Sequence, residues 1–184
     1  MKLKKIVFTM LVGLALTSCK KDDPEIPNEE ELITTLTYTL TPVNGGDDVV
    51  LVYKDLDAEG TDYNAEIING TLQANTTYNG VITLLNESEN PAEDMTVEVK
   101  EEAEDHQFFF TQTPNGFVVT YNDNDANDNP IGLQTQVVTE ETYTGGNLTI
   151  VLKHQPNKYA AGVSIEDNSN AGGDTDLEVN FELK

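Results

Sequence analysis

Arginine and tryptophan are absent from this sequence, and cysteine occurs once, at Cys19. Without arginine there is no planar fork for gripping phosphates or carboxylates. Ten lysines stand against 33 acids, for a formal net charge of −23. That balance leaves no basic surface to displace counterions from a nucleic acid, so nucleic acid is excluded as a partner. The lone cysteine rules out an internal disulfide and a multi-cysteine metal site. Without tryptophan, the core must rest on Phe, Tyr, Leu, Ile and Val. No apolar run reaches the ~20 residues needed to cross a bilayer as a helix. Catalytic signatures are also missing. There is no Gly-x-Ser-x-Gly elbow and no His-Glu-x-x-His, and among so many acids close carboxylate pairs are unavoidable. The chain therefore reads as a non-enzyme. The weaker alternative is a hydrolase working through paired carboxylates.

The N-terminal residues carry an address. Lys2, Lys4 and Lys5 precede an eleven-residue, largely apolar run, Ile6 to Leu16. That length suits the hydrophobic region of a secretory signal. Leu16-Thr17-Ser18-Cys19 resembles the lipobox of bacterial lipoproteins. The resemblance implies cleavage before Cys19, diacylation of its sulfur and acylation of the new amine. Lys20-Lys21-Asp22-Asp23 resembles the surface-export signal of Bacteroidota lipoproteins, with Lys21, Asp22 and Asp23 as its residues. It implies an outer-membrane lipoprotein on the cell surface. As an ordinary solvated spacer, the same stretch would leave the protein facing the periplasm. Pro24 to Glu31 continues as an acidic, proline-containing tether that cannot bury a core. The expected organisation is a signal peptide over 1–18, a tether over 19–31 and one domain over 32–184. Loss of residues 1–18 removes three lysines and no acids, taking the charge from −23 to −26.

Beyond the tether the pattern is period two. Leu32, Thr34, Leu36, Tyr38 and Leu40 alternate with Ile33 and further threonines, as in a strand with one wet face. Val49 to Tyr53 is apolar on both faces. A short strand is expected near Ile67-Ile68, and others through Tyr78 to Leu84, Phe108 to Phe110, Phe117 to Tyr121, Leu133 to Val137 and Leu148 to Leu152. The last is the clearest. Leu177, Val179, Phe181 and Leu183 should face the core, with Asp176, Glu178, Asn180 and Glu182 in water. Asn90-Pro91-Ala92-Glu93 carries a cap, an N1 proline and an N3 glutamate, which predicts a helix over about 91–104 with Met95, Val99, Ala103 and His106 on its apolar stripe. Thr96 to Val99 could instead extend as a strand. Residues 155–173 show no strand pattern, and a loop of that length is expected to be functional or mobile. The fold class is all-β: an immunoglobulin-like antiparallel β-sandwich of about eight or nine strands with one short helix.

Several stretches together resemble a group of small Bacteroidota surface lipoproteins. They include Ala74-Asn75-Thr76-Thr77-Tyr78, Leu84-Leu85-Asn86-Glu87-Ser88, His106-Gln107-Phe108-Phe109-Phe110, Leu152-Lys153-His154-Gln155-Pro156-Asn157-Lys158 and Ala171-Gly172-Gly173-Asp174-Thr175-Asp176. The resemblance implies a surface accessory protein working with a TonB-dependent outer-membrane transporter or an extracellular ligand. A type 1 periplasmic-binding fold is sometimes attributed to that group. Such a fold needs strands alternating with helices, which this period-two sequence does not have.

Two acidic loops and a histidine pair are the candidate sites. Asp55, Asp57 and Asp62, with Gly60 in sixth place and Glu66 in twelfth, follow the spacing of a calcium loop. Glu59 departs from the EF-hand pattern, and flanking helices are not expected. Asp123, Asp125 and Asp128 lie in Asp123-Asn124-Asp125-Ala126-Asn127-Asp128-Asn129-Pro130. The latter part of this loop resembles the cadherin calcium linker, although cadherins place it between domains. Calcium is the candidate cofactor for both loops, and ordinary acidic turns are the alternative. The calcium reading would make the domain a calcium-stabilised structural or adhesive module. His106 and His154, each followed by glutamine, could share a zinc ion with nearby carboxylates if the fold unites them.

Overall fold

The computed structural model of the chain describes residues 32–56, 65–114 and 116–184. The signal, the tether, Cys19, Lys21, Asp22, Asp23, Asp57 and Asp62 lie outside the described residues. Ten strands and one helix follow in chain order. They are β1 (Thr35–Pro42), β2 (Val49–Lys54), β3 (Glu66–Ile68), β4 (Thr77–Asn86), β5 (Glu93–Asp94), α1 (Met95–Glu101), β6 (His106–Thr113), β7 (Phe117–Tyr121), β8 (Gln134–Thr139), β9 (Gly146–His154) and β10 (Asp174–Leu183). The larger sheet runs β3-β2-β1-β4-β8-β7, with β5 paired to the end of β4. The smaller runs β10-β9-β6. The pairings are antiparallel, and the two sheets form the expected sandwich.

Alternation decides which face of each strand is buried. Leu177, Val179, Phe181 and Leu183 of β10 point inward, while Glu178, Asn180 and Glu182 are exposed. Phe108 and Phe110 of β6 and Leu148, Ile150 and Leu152 of β9 meet Leu36, Tyr38 and Leu40 of β1 in one core. The Tyr38 and Phe110 rings lie 5.9 Å apart. Tyr38 is fully buried, and its hydroxyl shares a 2.6 Å hydrogen bond with Thr135 Oγ1. Burial pushes its phenol well above the ordinary value, and the Thr135 bond only partly opposes that shift. This bond fits over Gly80. A Cβ there would lie 2.4 Å from Thr135 Oγ1 and 2.6 Å from the Tyr38 hydroxyl.

Two expectations are corrected. The helix spans Met95–Glu101 and does not begin at Asn90. Glu93 and Asp94 are extended because they pair with Asn86 and Leu85 of β4. Asp94 is the N-cap, and its carboxylate accepts a hydrogen bond from Thr96 N at 3.0 Å. Met95 and Val99 are buried as expected, but His106 opens β6. Asp176, expected in water, is turned inward. The register shifts between Thr175 and Leu177, so Asp176 is an extra residue at a bulge, and its side chain is only 2% exposed.

The long segment 155–173 is a packed cover. Val163 and Ala171 sit on Phe109 and Val151, the outward residues of β6 and β9. Ile165 O accepts from Phe110 N at 2.7 Å, and Ile131 O from Phe108 N at 2.7 Å. These bonds occupy the edge of β6, which is not paired to another strand.

Gly80→Ala should lower unfolding stability by about 2–3 kcal/mol through overpacking. Urea denaturation measures this. An unchanged midpoint would show that the Tyr38–Thr135 contact does not depend on a bare backbone at Gly80.

Candidate functional site

The inward stripes of β6 and β9 run through Phe and Leu and both end in histidine. The antiparallel register places His106 opposite His154. Their rings stack with centroids 4.7 Å apart and planes 21° from parallel. His106 is fully buried and His154 is 6% exposed. The bulge in β10 brings Asp176 to the same end of the sandwich, with Oδ2 3.9 Å from His106 Nε2.

Helix α1 closes this end. Glu102 is its C-cap, and the Glu102 carbonyl accepts a hydrogen bond from His106 Nδ1 at 3.1 Å. A carbonyl can only accept, so Nδ1 carries the proton and a neutral His106 has its lone pair on Nε2. His154 Nδ1 is buried and has no hydrogen-bond partner among the described residues. Glu102, which is solvent-exposed, completes the cluster. Its carboxylate and one nitrogen from each histidine lie within 4.8 Å of one another. Among the described residues, this is the one such group of three His, Cys, Asp or Glu side chains. Two imidazoles and a carboxylate are residue types that can ligate a metal ion.

The acidic turn after β7 is arranged differently. Asp123 Oδ1 accepts from Gly132 N at 2.8 Å, and Oδ2 from Gln134 N at 2.9 Å. Asp125 Oδ1 accepts from Asn127 N at 2.8 Å and Asn129 N at 2.9 Å. Its Oδ2 pairs with Lys158 Nζ at 3.0 Å, and both side chains are almost wholly buried. Lys158 also donates to Ala103 O at 2.7 Å and Pro130 O at 3.1 Å, so all three ammonium donors have acceptors. Asp128 is exposed and has a positive φ of 64°. Burial raises the Asp125 pKa, but the N–H donors of Asn129 and Asn127 and the Lys158 ammonium outweigh it and hold the carboxyl below its ordinary value. Any cation entering this turn would compete with donors already in place.

In the first acidic loop only Asp55 is described among the three predicted aspartates. It follows β2 and is 4% exposed. Tyr53 Oη donates to its Oδ2 at 3.4 Å, while Oδ1 is buried with no hydrogen-bond partner among the described residues.

The structure thus unites His106 and His154, and it adds Glu102 and Asp176. Glu102 falls inside the predicted helix but off its apolar stripe, and Asp176 is expected on the wet side of the last strand. Neither had a local signal, since one depends on where the helix ends and the other on a bulge. The chain matches no family model, no curated protein and no solved structure.

Lys158→Met should leave the Asp125 carboxylate buried without its cation and lower stability at pH 7 by about 3 kcal/mol. The folded pKa of Asp125 is depressed, so the pair stabilises above the unfolded value of ~3.9 and is lost as pH falls through the folded value. Urea midpoints of the two proteins should therefore converge in acid. A constant gap across pH would show that packing of the lysine stem, not the ion pair, carries the effect.

Proposed function

We propose that this protein is a lipid-anchored outer-membrane lipoprotein, displayed on the cell surface, that serves as a non-enzymatic binding or accessory module. The observation that carries the reading is Cys19, the only cysteine, standing directly after Leu16-Thr17-Ser18 at the end of an apolar run. Two or more acyl chains at that position make a stable anchor, where one alone binds marginally. About fifteen residues separate Cys19 from β1, a reach of at most roughly 50 Å at full extension. That length lets the domain stand clear of the lipid headgroups. The strongly acidic composition favours solubility on a crowded surface. The resemblance to Bacteroidota surface lipoproteins supports an accessory role beside an outer-membrane transporter or an extracellular ligand. No described helix is long and apolar enough to cross a membrane.

A second reading is a structural domain stiffened by calcium at the loop that begins with Asp55. The buried Asp55 Oδ1, which has no hydrogen-bond partner among the described residues, favours it, because a buried carboxylate oxygen is stabilised by a cation. Binding to the folded state alone would add ~2.7 kcal/mol at a hundredfold excess over Kd.

Three measurements test these readings. Cys19→Ala should move the protein from washed membranes to the soluble fraction, and a variant that stays in the pellet after a high-salt wash would overturn the anchor. Protease added to intact cells should digest the domain, and Asp22→Ala with Asp23→Ala should protect it. For the second reading, Ca²⁺ should raise the melting temperature more than Mg²⁺ at equal ionic strength, and Asp55→Asn should abolish that difference. Equal shifts with both ions would leave general screening as the cause.

A further inference from the structure

We propose that Glu102, His106, His154 and Asp176 bind a divalent transition-metal ion of the zinc class at the end of the sandwich where α1 meets the smaller sheet. The site is independent of the lipid anchor and of the Asp55 loop. Its donors come from four places: the C-cap of α1, the start of β6, the end of β9 and the bulge of β10. A metal ion there would fasten the helix to all three strands of the smaller sheet.

Geometry is the first argument. The ligand atoms of Glu102, His106 and His154 lie within 4.8 Å of one another. Around tetrahedral zinc, with bonds of ~2.0–2.1 Å, ligand atoms sit about 3.3 Å apart. Closing that difference needs the ligands to draw together, and Glu102 is exposed and able to turn. Backbone contacts hold the frame. Asp105 O accepts from Gln155 N at 2.6 Å, and Ala103 O accepts from Lys158 Nζ, so the exit of α1 is fastened to the segment after β9.

The second argument is hydrogen-bond chemistry. His106 donates Nδ1–H to the Glu102 carbonyl, the outer bond that typically orients a metal-bound imidazole. A neutral His106 then turns a lone pair toward Asp176 Oδ2, 3.9 Å away. His154 supplies the observation that points to the metal. Its buried Nδ1 has no hydrogen-bond partner among the described residues in either tautomer, and a Lewis acid takes the lone pair of the unprotonated form.

Charge and ligand softness select the ion. Two carboxylates and two neutral imidazoles sum to −2, which a dication cancels. Imidazole nitrogen favours zinc and its neighbours, while calcium and magnesium prefer oxygen throughout. The net charge of −23 raises the local concentration of any cation.

The test is zinc titration of the full chain carrying Cys19→Ala, so that no thiol contributes, followed by calorimetry and by thermal melting. One Zn²⁺ should bind per chain and raise the melting temperature, while Ca²⁺ and Mg²⁺ at equal ionic strength should not. Co²⁺ should bind in the same place with the intense visible bands of a four-coordinate site. Loss of a ligand should weaken zinc binding at least tenfold, as roughly that much follows from removing even an outer-shell partner. His154→Asn is the direct variant. Glu102→Gln lies on the surface and decides the matter if His154→Asn does not fold. Glu101→Gln on the same helix should bind like the parent. The proposal is overturned if no stoichiometric zinc binds, or if Glu102→Gln binds zinc as tightly as the parent. Equal stabilisation by Ca²⁺ would also overturn it.

Discussion

The antiparallel register between β6 and β9 is the constraint that the core and the polar end of the sandwich share. It sets Phe108 against Leu152 and Phe110 against Ile150, and by the same count it sets His106 against His154. Because strand side chains alternate, a slip of β6 by one residue would turn Phe109 inward and carry the fully buried Phe108 and Phe110 to the outer face. The histidines would part in the same step. Strand β9 is hydrogen-bonded on both edges, so β10 inherits its alignment until the bulge between Thr175 and Leu177. That one extra residue makes Asp176 inward-facing without disturbing the stripe from Leu177 to Leu183.

A second layer fixes the outside of the same sheet. Phe108, Phe109 and Phe110 are all buried, which requires cover on both faces of β6. The segment after β9 supplies it through Val163 and Ala171 and through the carbonyl of Ile165. Lys158 in that segment reaches the Ala103 carbonyl, Asp125 and the Pro130 carbonyl together. Burying an ammonium is costly unless each donor finds an acceptor and a charge lies opposite. Here both conditions hold, so one side chain joins the helix exit, the acidic turn and the cover. Glu166 adds a further tie, accepting from Thr111 through its carbonyl and from Gln112 through its carboxylate.

The strands were legible because a sheet with one buried face writes its geometry as alternation, and Leu177 to Leu183 is the cleanest case. Where local signals met long-range pairing, pairing won. Asn90-Pro91-Ala92-Glu93 has the chemistry of a helix start, yet Glu93 and Asp94 add to the end of β4, and the cap passes to Asp94. The cover at 155–173 read as structureless because its order comes from Phe109, Val151 and Phe110, dozens of residues away. The triple phenylalanine was the available signal, since an exposed outer face would not carry Phe109. The two histidines were visible as residues but not as a pair. Their contact depends on a register, and Asp176 depends on a bulge that no local pattern marks.

The contrast between the acidic turn and the histidine end shows why composition located neither. With 33 acids, carboxylate density says little, because Asp and Asn are also ordinary turn residues. What distinguishes sites is the supply of donors. In the turn, Asp123 and Asp125 are met by backbone and side-chain donors of five residues, Gly132, Gln134, Asn127, Asn129 and Lys158, and the carboxylates serve to shape the loop. At the histidine end, the Glu102 carboxylate and the two imidazoles lie within 4.8 Å of one another, Asp176 lies against His106, and His154 Nδ1 has no hydrogen-bond partner among the described residues. A loop closed by its own N–H groups is complete without a ligand. The histidine end is held instead by strand register, a bulge and a helix cap, and it leaves His154 Nδ1 buried with no hydrogen-bond partner among the described residues.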